Sequence, residues 1–191
     1  MRLFVAVELE PGIREALGGL IAELKRVPAD VKWVEEENLH LTLYFLGEVA
    51  PPLLAGIKDE LAQAAAGVLP FDLVLEGLGA FPGPRRPRVV WVGAAGGEML
   101  LRLQRQVAAR LDAFLKRPPD TLAFRPHITL GRVRSPRNLA SLGHALVDRA
   151  PLKIGRQAVR DFSLMESRLS RAGPSYTCLH RYSLHAGPTA M

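Results

Sequence analysis

The sequence carries one short pattern twice: a histidine, an apolar residue, a threonine and a second apolar residue. The first copy covers residues 40–43 (His-Leu-Thr-Leu) and the second covers residues 127–130 (His-Ile-Thr-Leu). Side chains two positions apart in a β-strand point to the same face. Each copy therefore predicts a strand with an imidazole and a hydroxyl on one face and apolar side chains on the other. If the two polar faces meet, four side chains form one site: His40, Thr42, His127 and Thr129.

Two histidines and two hydroxyls suit proton transfer at a phosphorus atom. Imidazole titrates near neutral pH without any perturbation. One imidazole can take a proton from an attacking oxygen while the other, as imidazolium, gives a proton to the leaving oxygen. The threonine hydroxyls can donate hydrogen bonds to the non-bridging phosphate oxygens. This chemistry requires neither a metal nor a cofactor, and none is expected. The residues alone leave open which histidine is the donor.

Other chemistries fit the sequence less well. The carboxylates nearest the two motifs are residues 35–37 and Glu48, and they lack the spacing of metal ligands. Cys178 lies in an apolar strand pattern and is interpreted as a core residue. Neither a G-x-S-x-G motif nor a phosphate-binding Gly-Lys-Ser/Thr loop is present.

Composition indicates a folded, basic protein. The chain has 191 residues, of which 48% are hydrophobic, and a net charge of +6. Such a charge favours anionic partners, with nucleic acid ahead of anionic membranes. The single cysteine excludes an intramolecular disulfide. Because no signal peptide or bilayer-length apolar run is found, we expect a cytoplasmic protein.

The elements that must position the motifs follow from periodicity. Helices are predicted near residues 11–27, 51–66, 98–116 and 139–147, between short strands. Residues 158–169 and 176–184 are interpreted as the arms of a hairpin. This order predicts an α+β fold with helices on one side of each sheet, in a single domain over residues 1–191.

Three further assignments concern side chains around the motifs. Tyr44 shares strand parity with His40 and Thr42 and could stack on a base or ribose, whereas Phe45 has core parity. Residues 79–88 are rich in Gly, Pro and Arg and are interpreted as a loop or hinge. The three arginines of this segment could contact the phosphates of a nucleic acid or could simply be solvated: Arg85, Arg86 and Arg88.

The extended blocks around the motifs resemble those of the 2H phosphoesterase superfamily. More closely, they are similar to the RNA 2′,3′-cyclic phosphodiesterase family, historically called 2′-5′ RNA ligases. The resemblance covers most of the chain. The similar segments are residues 2–9, Trp33 with 40–48, 81–82 with 87–93, 124–132, and 167–169 with 173–176.

That resemblance implies a bilobal α+β fold in which two antiparallel sheets with pseudo-twofold symmetry flank a central groove and the helices lie outside. It also implies metal-independent hydrolysis of a 2′,3′-cyclic phosphate at an RNA 3′ end, leaving a 2′-phosphomonoester. By the family's assignment, His40 is the proton donor to the 3′ oxygen and His127 is the proton acceptor from water. Thr42 and Thr129 would hold phosphate oxygens.

The resemblance also places Arg132 near the phosphate. Simple strand parity puts Arg132 on the side of Ile128 and Leu130, so this role needs the strand to twist or end at Gly131.

Two alternatives remain open. The same groove could join RNA through a 2′-5′ bond or cleave 2′-5′ oligonucleotides, or the protein could bind RNA without catalysis. The expected partner is RNA with a cyclic phosphate end, with tRNA fragments among the candidates. No membrane partner is expected, and the chain is expected to be a monomer.

Overall fold

The computed structural model describes residues 1–119, 122–170 and 173–186, which form nine strands and four α-helices. The strands are β1 (Arg2–Glu8), β2 (Val31–Trp33), β3 (His40–Glu48), β4 (Phe71–Phe81), β5 (Val89–Ala95), β6 (His127–Val133), β7 (Lys153–Val159), β8 (Asp161–Ser170) and β9 (Gly173–Ser183). The helices are α1 (Pro11–Leu24), α2 (Leu54–Ala65), α3 (Gly97–Leu115) and α4 (Leu139–Asp148).

All nine strands belong to one antiparallel sheet with the order β7-β4-β5-β6-β3-β1-β8-β9, and β2 also pairs with β6. The motif strands β3 and β6 are the two central strands. They pair at a single position, Leu41 with Ile128. The predicted α+β fold is confirmed, and the two expected sheets are the halves of one curled sheet that meet at this position.

The halves repeat one arrangement in chain order. In the first half, β1 is followed by α1 and then by the motif strand β3, with the short β2 between them. In the second half, β5 is followed by α3 and then by the motif strand β6. In both cases the first strand and the motif strand are antiparallel neighbours. The site is therefore built from two similar frames.

The helices cover the face of the sheet that carries the apolar motif positions. Leu41, Leu43, Ile128 and Leu130 are buried in one hydrophobic cluster with the helical apolar positions. Those positions recur at three- and four-residue spacing, as in Leu100, Leu103, Val107 and Leu111 of α3. Burying each such side chain contributes about 1.5–3 kcal/mol. The apolar faces thus anchor the motif strands to the helices, and the histidines lie on the opposite face.

Some predicted boundaries are wrong. Residues 79–81, expected in a loop, continue β4, and residues 158–159, expected in the hairpin, belong to β7 and pair with β4. The hairpin itself is β8 and β9. No helix in the described ranges is both long and apolar enough to cross a membrane.

Candidate active site

The two motifs meet at the junction between the halves of the sheet. Because Leu41 pairs with Ile128, the antiparallel register sets His40 opposite Thr129 and Thr42 opposite His127. The two apolar partners are fully buried below the junction. The structure therefore brings all four predicted side chains to one face, with each histidine across from the other motif's threonine.

The same backbone contact orients both imidazoles. Nδ1 of His40 lies 2.7 Å from the carbonyl oxygen of Asn38, and Nδ1 of His127 lies 2.6 Å from that of Arg125. A carbonyl oxygen only accepts, so Nδ1 carries the hydrogen in each ring. In the neutral form, Nε2 then holds the lone pair. Both rings present Nε2 as the atom that can take or give a proton.

His40 is enclosed by aromatic rings. Its ring centroid lies 4.8 Å from that of Phe4 and 5.3 Å from that of Tyr176, which meets it edge-on. Burial lowers the pKa of His40, and the hydrogen bond to the Asn38 carbonyl partly opposes this shift. Thr42 Oγ1 lies 3.0 Å from Nε2. The neutral ring is therefore favoured when no anion is near, and it accepts a hydrogen bond from the Thr42 hydroxyl.

His127 has a different setting. Its ring meets Phe81 edge-on at a centroid distance of 5.0 Å, and Phe81 in turn lies 5.2 Å from Trp91. These rings come from β4 and β5, in the second half of the sheet. The two imidazoles thus share a backbone anchor but have unequal surroundings.

A β-bulge follows the first motif. On β1, Val5 and Ala6 are adjacent, but their partners on β3 are Tyr44 and Thr42. Leu43 is the extra residue. A bulge of one residue reverses the alternation of side chains beyond it. Residues after Leu43 therefore point to the opposite faces from those that simple parity predicts.

This bulge makes two predictions wrong. Tyr44 does not share the face of His40: it packs against the hydrophobic core, and its hydroxyl donates to Asp112 of α3. Burial, reinforced by the Asp112 carboxylate, raises the pKa of Tyr44 to about 12. Phe45, expected in the core, is 62% exposed, and its ring centroid lies 6.1 Å from that of Phe4.

A second bulge follows the second motif and brings Arg132 to the histidine face. Thr129 pairs with Trp91 and Gly131 pairs with Val90, so that Leu130 is the extra residue on β6. Leu130 and Gly131 are both buried, and Arg132 turns back to the face of His127 and Thr129, where its side chain is exposed. The bulge therefore turns the Arg132 side chain to the face where the family resemblance places it, which simple strand alternation does not.

The sequence contained a partial signal for the second bulge. A glycine inside a strand often marks a bulge or a close approach of chains. A Cβ on Gly131 would lie 2.7 Å from Val31 Cγ1 and 2.8 Å from Trp33 Cε3. Glycine is thus the residue that fits where β2 crosses the bulged strand. The first bulge has no such glycine, and only its register with β1 reveals it.

Other predicted residues are placed as follows. Cys178, expected in the core, is exposed, because its face of β9 lines a cavity of about 160 Å³ beside His40. The side chains of Arg85, Arg86 and Arg88 are exposed. Their loop is anchored, since the Arg88 amide donates to the Phe81 carbonyl at 2.8 Å and Pro87 is buried. Within the described residues, no group of three or more His, Cys, Asp or Glu side chains could hold a metal ion.

Comparison with known proteins gives the family. Residues 7–91 match the family model described as LigT like Phosphoesterase. An RNA 2′,3′-cyclic phosphodiesterase of Methanothermobacter thermautotrophicus is 36% identical, with the alignment covering 96% of this chain and 99% of that protein. A protein of the same name from Archaeoglobus fulgidus is 41% identical over 92% of this chain and 96% of its own.

Solved structures agree with these matches. The crystal structure of TT0787 of Thermus thermophilus has a TM-score of 0.80 at 33% identity, over 96% of this chain and 98% of that one. The structure of E. coli LigT complexed with 3′-AMP has a TM-score of 0.77 at 29% identity, over 96% and 97% of the two chains. The chain belongs to the LigT-like phosphoesterases, a family of the 2H phosphoesterase type.

Proposed function

We propose that this chain hydrolyses the 2′,3′-cyclic phosphate end of RNA to a 2′-phosphomonoester. The observation that carries the proposal is the junction itself. Two imidazoles with Nδ1 bonded to backbone carbonyls present Nε2 on one face, and each lies across from a threonine hydroxyl. The names of the relatives supply the substrate class.

In the proposed reaction, His127 Nε2 takes a proton from a water molecule, and the water oxygen attacks phosphorus. The bond between phosphorus and the 3′ oxygen breaks, and protonated His40 gives its Nε2 proton to that oxygen. The product carries a 2′-phosphate and a 3′-hydroxyl. His127 ends protonated and His40 ends neutral, and proton exchange with solvent restores both. No metal enters this scheme, so full activity is expected in EDTA.

The other site residues act on the non-bridging oxygens. Thr42 and Thr129 would donate hydrogen bonds to them, and Arg132 would add a positive charge. The hydrogen bond between Thr42 and His40 would also link the protonation of His40 to phosphate binding. When His40 is neutral, the Thr42 hydroxyl donates to Nε2. Once His40 is protonated, Nε2 becomes a donor, and the Thr42 hydrogen is released to point towards the phosphate.

The division of roles between the histidines can be tested with a substrate whose 3′ bridging oxygen is replaced by sulfur. A thiolate leaves without being protonated. His40→Ala should therefore lower turnover of the oxygen substrate by at least about a hundredfold and lower that of the sulfur substrate much less. His127→Ala should impair both equally. His144→Ala, a change of an exposed histidine on α4, serves as the control.

Two results would contradict the proposal. The opposite pattern in the two variants would exchange donor and acceptor. Wild-type protein that binds RNA but leaves the cyclic phosphate intact across about pH 5 to 9 would instead favour a non-catalytic RNA-binding role.

A second candidate activity, joining RNA ends through a 2′-5′ bond, is favoured by a cavity next to His127. The cavity has a volume of about 290 Å³ and is lined by Phe81, Trp91, Arg125 and Val147 among others. Phe81 also touches His127, and the Arg125 carbonyl accepts its Nδ1 hydrogen. A nucleoside held there would present its 5′-hydroxyl where the attacking water sits.

The cavity allows the two activities to be separated. Val147→Trp would fill the cavity from α4, where Val147 is 55% exposed. It should reduce joining to a 5′-hydroxyl RNA and leave hydrolysis unchanged, as measured with end-labelled products. Equal loss of both activities would exclude the cavity as a separate nucleoside site.

We further propose that residues 1–191 act as one bilobal domain and as a monomer, because both halves of the sheet contribute to one cleft. The proposal includes a cytoplasmic location, with tRNA fragments among the substrates.

A further inference from the structure

Two like charges, Lys32 and Arg132, lie directly across from each other on the histidine face. Lys32 of β2 is the register partner of Arg132 of β6, and cross-strand partners share one face of a sheet. Both side chains are exposed, whereas Val31 and Gly131, which precede them, are buried. Lys32 therefore extends the positive charge of Arg132 across the sheet, on the face that carries the imidazoles.

These two charges have no balancing carboxylate in the described part of the chain. Neither side chain makes an ion pair or a hydrogen bond there, and the other strand partner of Arg132 is the uncharged Val89 of β5. Like charges directly opposite each other destabilise a pair of strands. An anion bound beside both cations would remove this repulsion, so the pair indicates an anionic ligand.

The next residue pair outward on the same two strands is balanced. Arg134 lies two positions after Arg132, and its Nη2 lies 2.9 Å from a carboxylate oxygen of Asp30. The Arg134 amide donates to the Asp30 carbonyl at 2.8 Å, which continues the alignment of the strands. These strands can therefore hold an opposite-charge pair, and they hold a like-charge pair one step closer to the histidines.

A phosphodiester group fits the position of Lys32. In the proposed reaction, Arg132 acts on the oxygens of the cyclic phosphate, and Lys32 lies one strand spacing away, about 4.7–4.9 Å between backbones. The anionic group next to the cyclic phosphate along an RNA strand is the phosphodiester on the 5′ side of the terminal nucleotide. A lysine ammonium binds phosphate as a compact point charge.

The arginine loop is less well placed for this phosphodiester. Val89 shares the face of Arg132, because the two residues are register partners. Alternation then turns Arg88, the residue before it, towards the other face. Lys32 is thus the cation that the strand register places beside Arg132.

We propose that Lys32 binds the phosphodiester group on the 5′ side of the terminal nucleotide, so that the RNA strand leaves the cleft across β2. This inference rests on the proposed function, which places the cyclic phosphate beside Arg132. Val31 and Trp33 flank Lys32 and pack in the hydrophobic core, so the ammonium is carried by an anchored strand. The enzyme should therefore distinguish an RNA end from a free nucleoside cyclic phosphate.

The test compares two substrates that differ by one phosphate. One is a nucleoside 2′,3′-cyclic phosphate with a free 5′-hydroxyl, and the other carries a 5′-methyl phosphodiester. Wild type should prefer the second substrate, and this preference should weaken as salt is added. Lys32→Ala should lower the ratio of the two kcat/KM values by about 3- to 10-fold, mainly through KM, which corresponds to one exposed charge-assisted contact.

Two variants serve as controls for this ratio. Lys153→Ala removes an exposed lysine from the edge strand β7 and should leave the ratio unchanged. Lys32→Arg keeps the charge and should retain the preference for the phosphodiester. Arg132→Ala should instead lower kcat/KM for both substrates, because it acts at the cyclic phosphate that they share.

Unfolding gives a readout that does not depend on turnover. Lys32→Glu places a carboxylate across from Arg132, as Asp30 lies across from Arg134. At low salt, this variant should unfold at a higher urea concentration than wild type, because repulsion is replaced by attraction. It should also lower the kcat/KM ratio more than Lys32→Ala does. A lysine that only supports the strand would not combine a more stable fold with weaker discrimination.

Several results would overturn the proposal. They are equal losses on both substrates in Lys32→Ala, an unchanged ratio in that variant, and equal turnover of both substrates by wild type at low salt. A ratio lowered by Arg88→Ala and not by Lys32→Ala would direct the strand over the loop instead.

Failure of the proposed function can be recognised separately. If wild type turns over neither substrate, the hydrolysis proposal fails. Titration calorimetry with adenosine 2′-phosphate, with and without a 5′-methyl phosphodiester, then still decides whether Lys32 binds that group. Lys32→Ala should weaken binding of the 5′-modified compound more than that of the other, and equal affinities in wild type would exclude the site.

Discussion

At the scale of single residues, the two histidines differ in what surrounds them and not in how they are anchored. Both donate Nδ1–H to a carbonyl two positions earlier. Burial lowers the pKa of His40 from its usual value of 6.5. A bound phosphate would raise this pKa again, because a nearby negative charge favours the imidazolium. In the proposed reaction, the imidazolium form of His40 would therefore be favoured once the substrate is bound.

The lowered pKa of His40 predicts the pH dependence of catalysis. If His40 must be protonated in the free enzyme, kcat/KM should fall as pH rises through its lowered pKa, below about 6.5. The corresponding fall in kcat should occur at higher pH, because the phosphate raises the pKa in the complex. Rate profiles of wild type and His127→Ala check this, and the variant should keep the alkaline fall. An alkaline fall of kcat/KM that disappears in His127→Ala would reverse the roles.

The lowered pKa of His40 also determines how the stability of the fold changes with pH. The folded-state pKa of His40 lies below its unfolded value, so the unfolded chain binds more protons between the two values. The stability contributed by neutral His40 is present above about pH 6.5 and is lost as pH falls through the folded-state value. Urea unfolding of wild type and His40→Gln across this range should show a weaker acid destabilisation in the variant. Parallel curves would contradict this linkage.

At the scale of elements, the two bulges separate neighbouring residues into different roles. Tyr44 faces α3 and donates to Asp112, which is itself buried, whereas Phe45 faces the cleft. Tyr44→Phe should cost about 1–3 kcal/mol of stability, because it leaves the buried carboxylate without that donor. Its kcat/KM should match wild type. Denaturant unfolding together with steady-state kinetics measures both, and a raised KM at unchanged stability would restore Tyr44 to the substrate site.

The bulge in β6 predicts that a side chain at Gly131 would reduce both stability and activity. Gly131→Val should destabilise the fold by about 1–3 kcal/mol, because the new side chain would press on Val31 and Trp33. It should also lower kcat/KM by displacing Arg132. Gly19→Ala is the matched control, since a Cβ at this exposed position of α1 meets nothing within 4 Å. That control should gain up to about 1 kcal/mol. Similar results for both glycines would contradict the bulge argument.

The bulges also mark the limit of what sequence patterns predicted. Alternation correctly predicted the faces of His40, Thr42, His127 and Thr129, because in each motif the bulge comes after the threonine. It was wrong for Tyr44 and Phe45, since a bulge depends on which β1 residues pair with β3, and one strand's sequence does not contain that register. Cys178 was assigned to the core for a related reason. An edge strand of a curled sheet can have apolar positions that face the cleft.

At the scale of the whole molecule, both halves of the sheet bring aromatic rings to their histidine, and one half also carries a basic loop. Arg85, Arg86 and Arg88 are exposed on the anchored loop that follows β4, in the half that carries His127. The loop therefore holds these arginines on a fixed base, and we expect them to contact RNA phosphates. The double variant Arg85→Ala/Arg86→Ala should weaken binding of long RNA and reduce its salt slope by roughly 0.7 per lost contact.

Fluorescence anisotropy at several salt concentrations measures this effect. Binding of a cyclic mononucleotide should stay unchanged, because it carries no phosphates beyond the cleft. Arg105→Ala is the control, since Arg105 is exposed on α3 and paired with Glu98. An unchanged salt slope in the double variant would show that the loop arginines are merely solvated.

The unlike residues that follow the bulges bear on which product isomer forms. A cyclic phosphate has two bridging oxygens, and a site with true twofold symmetry would accept it in either orientation, so that both the 2′- and the 3′-phosphate would appear. Phe45 and Arg132 occupy equivalent places but differ in chemistry, so the two orientations of the cyclic phosphate are not equivalent in this cleft. The choice between the two product isomers would thus depend on these two side chains as well as on the unequal surroundings of the histidines, and Phe45→Ala should release a fraction of the 3′-phosphate.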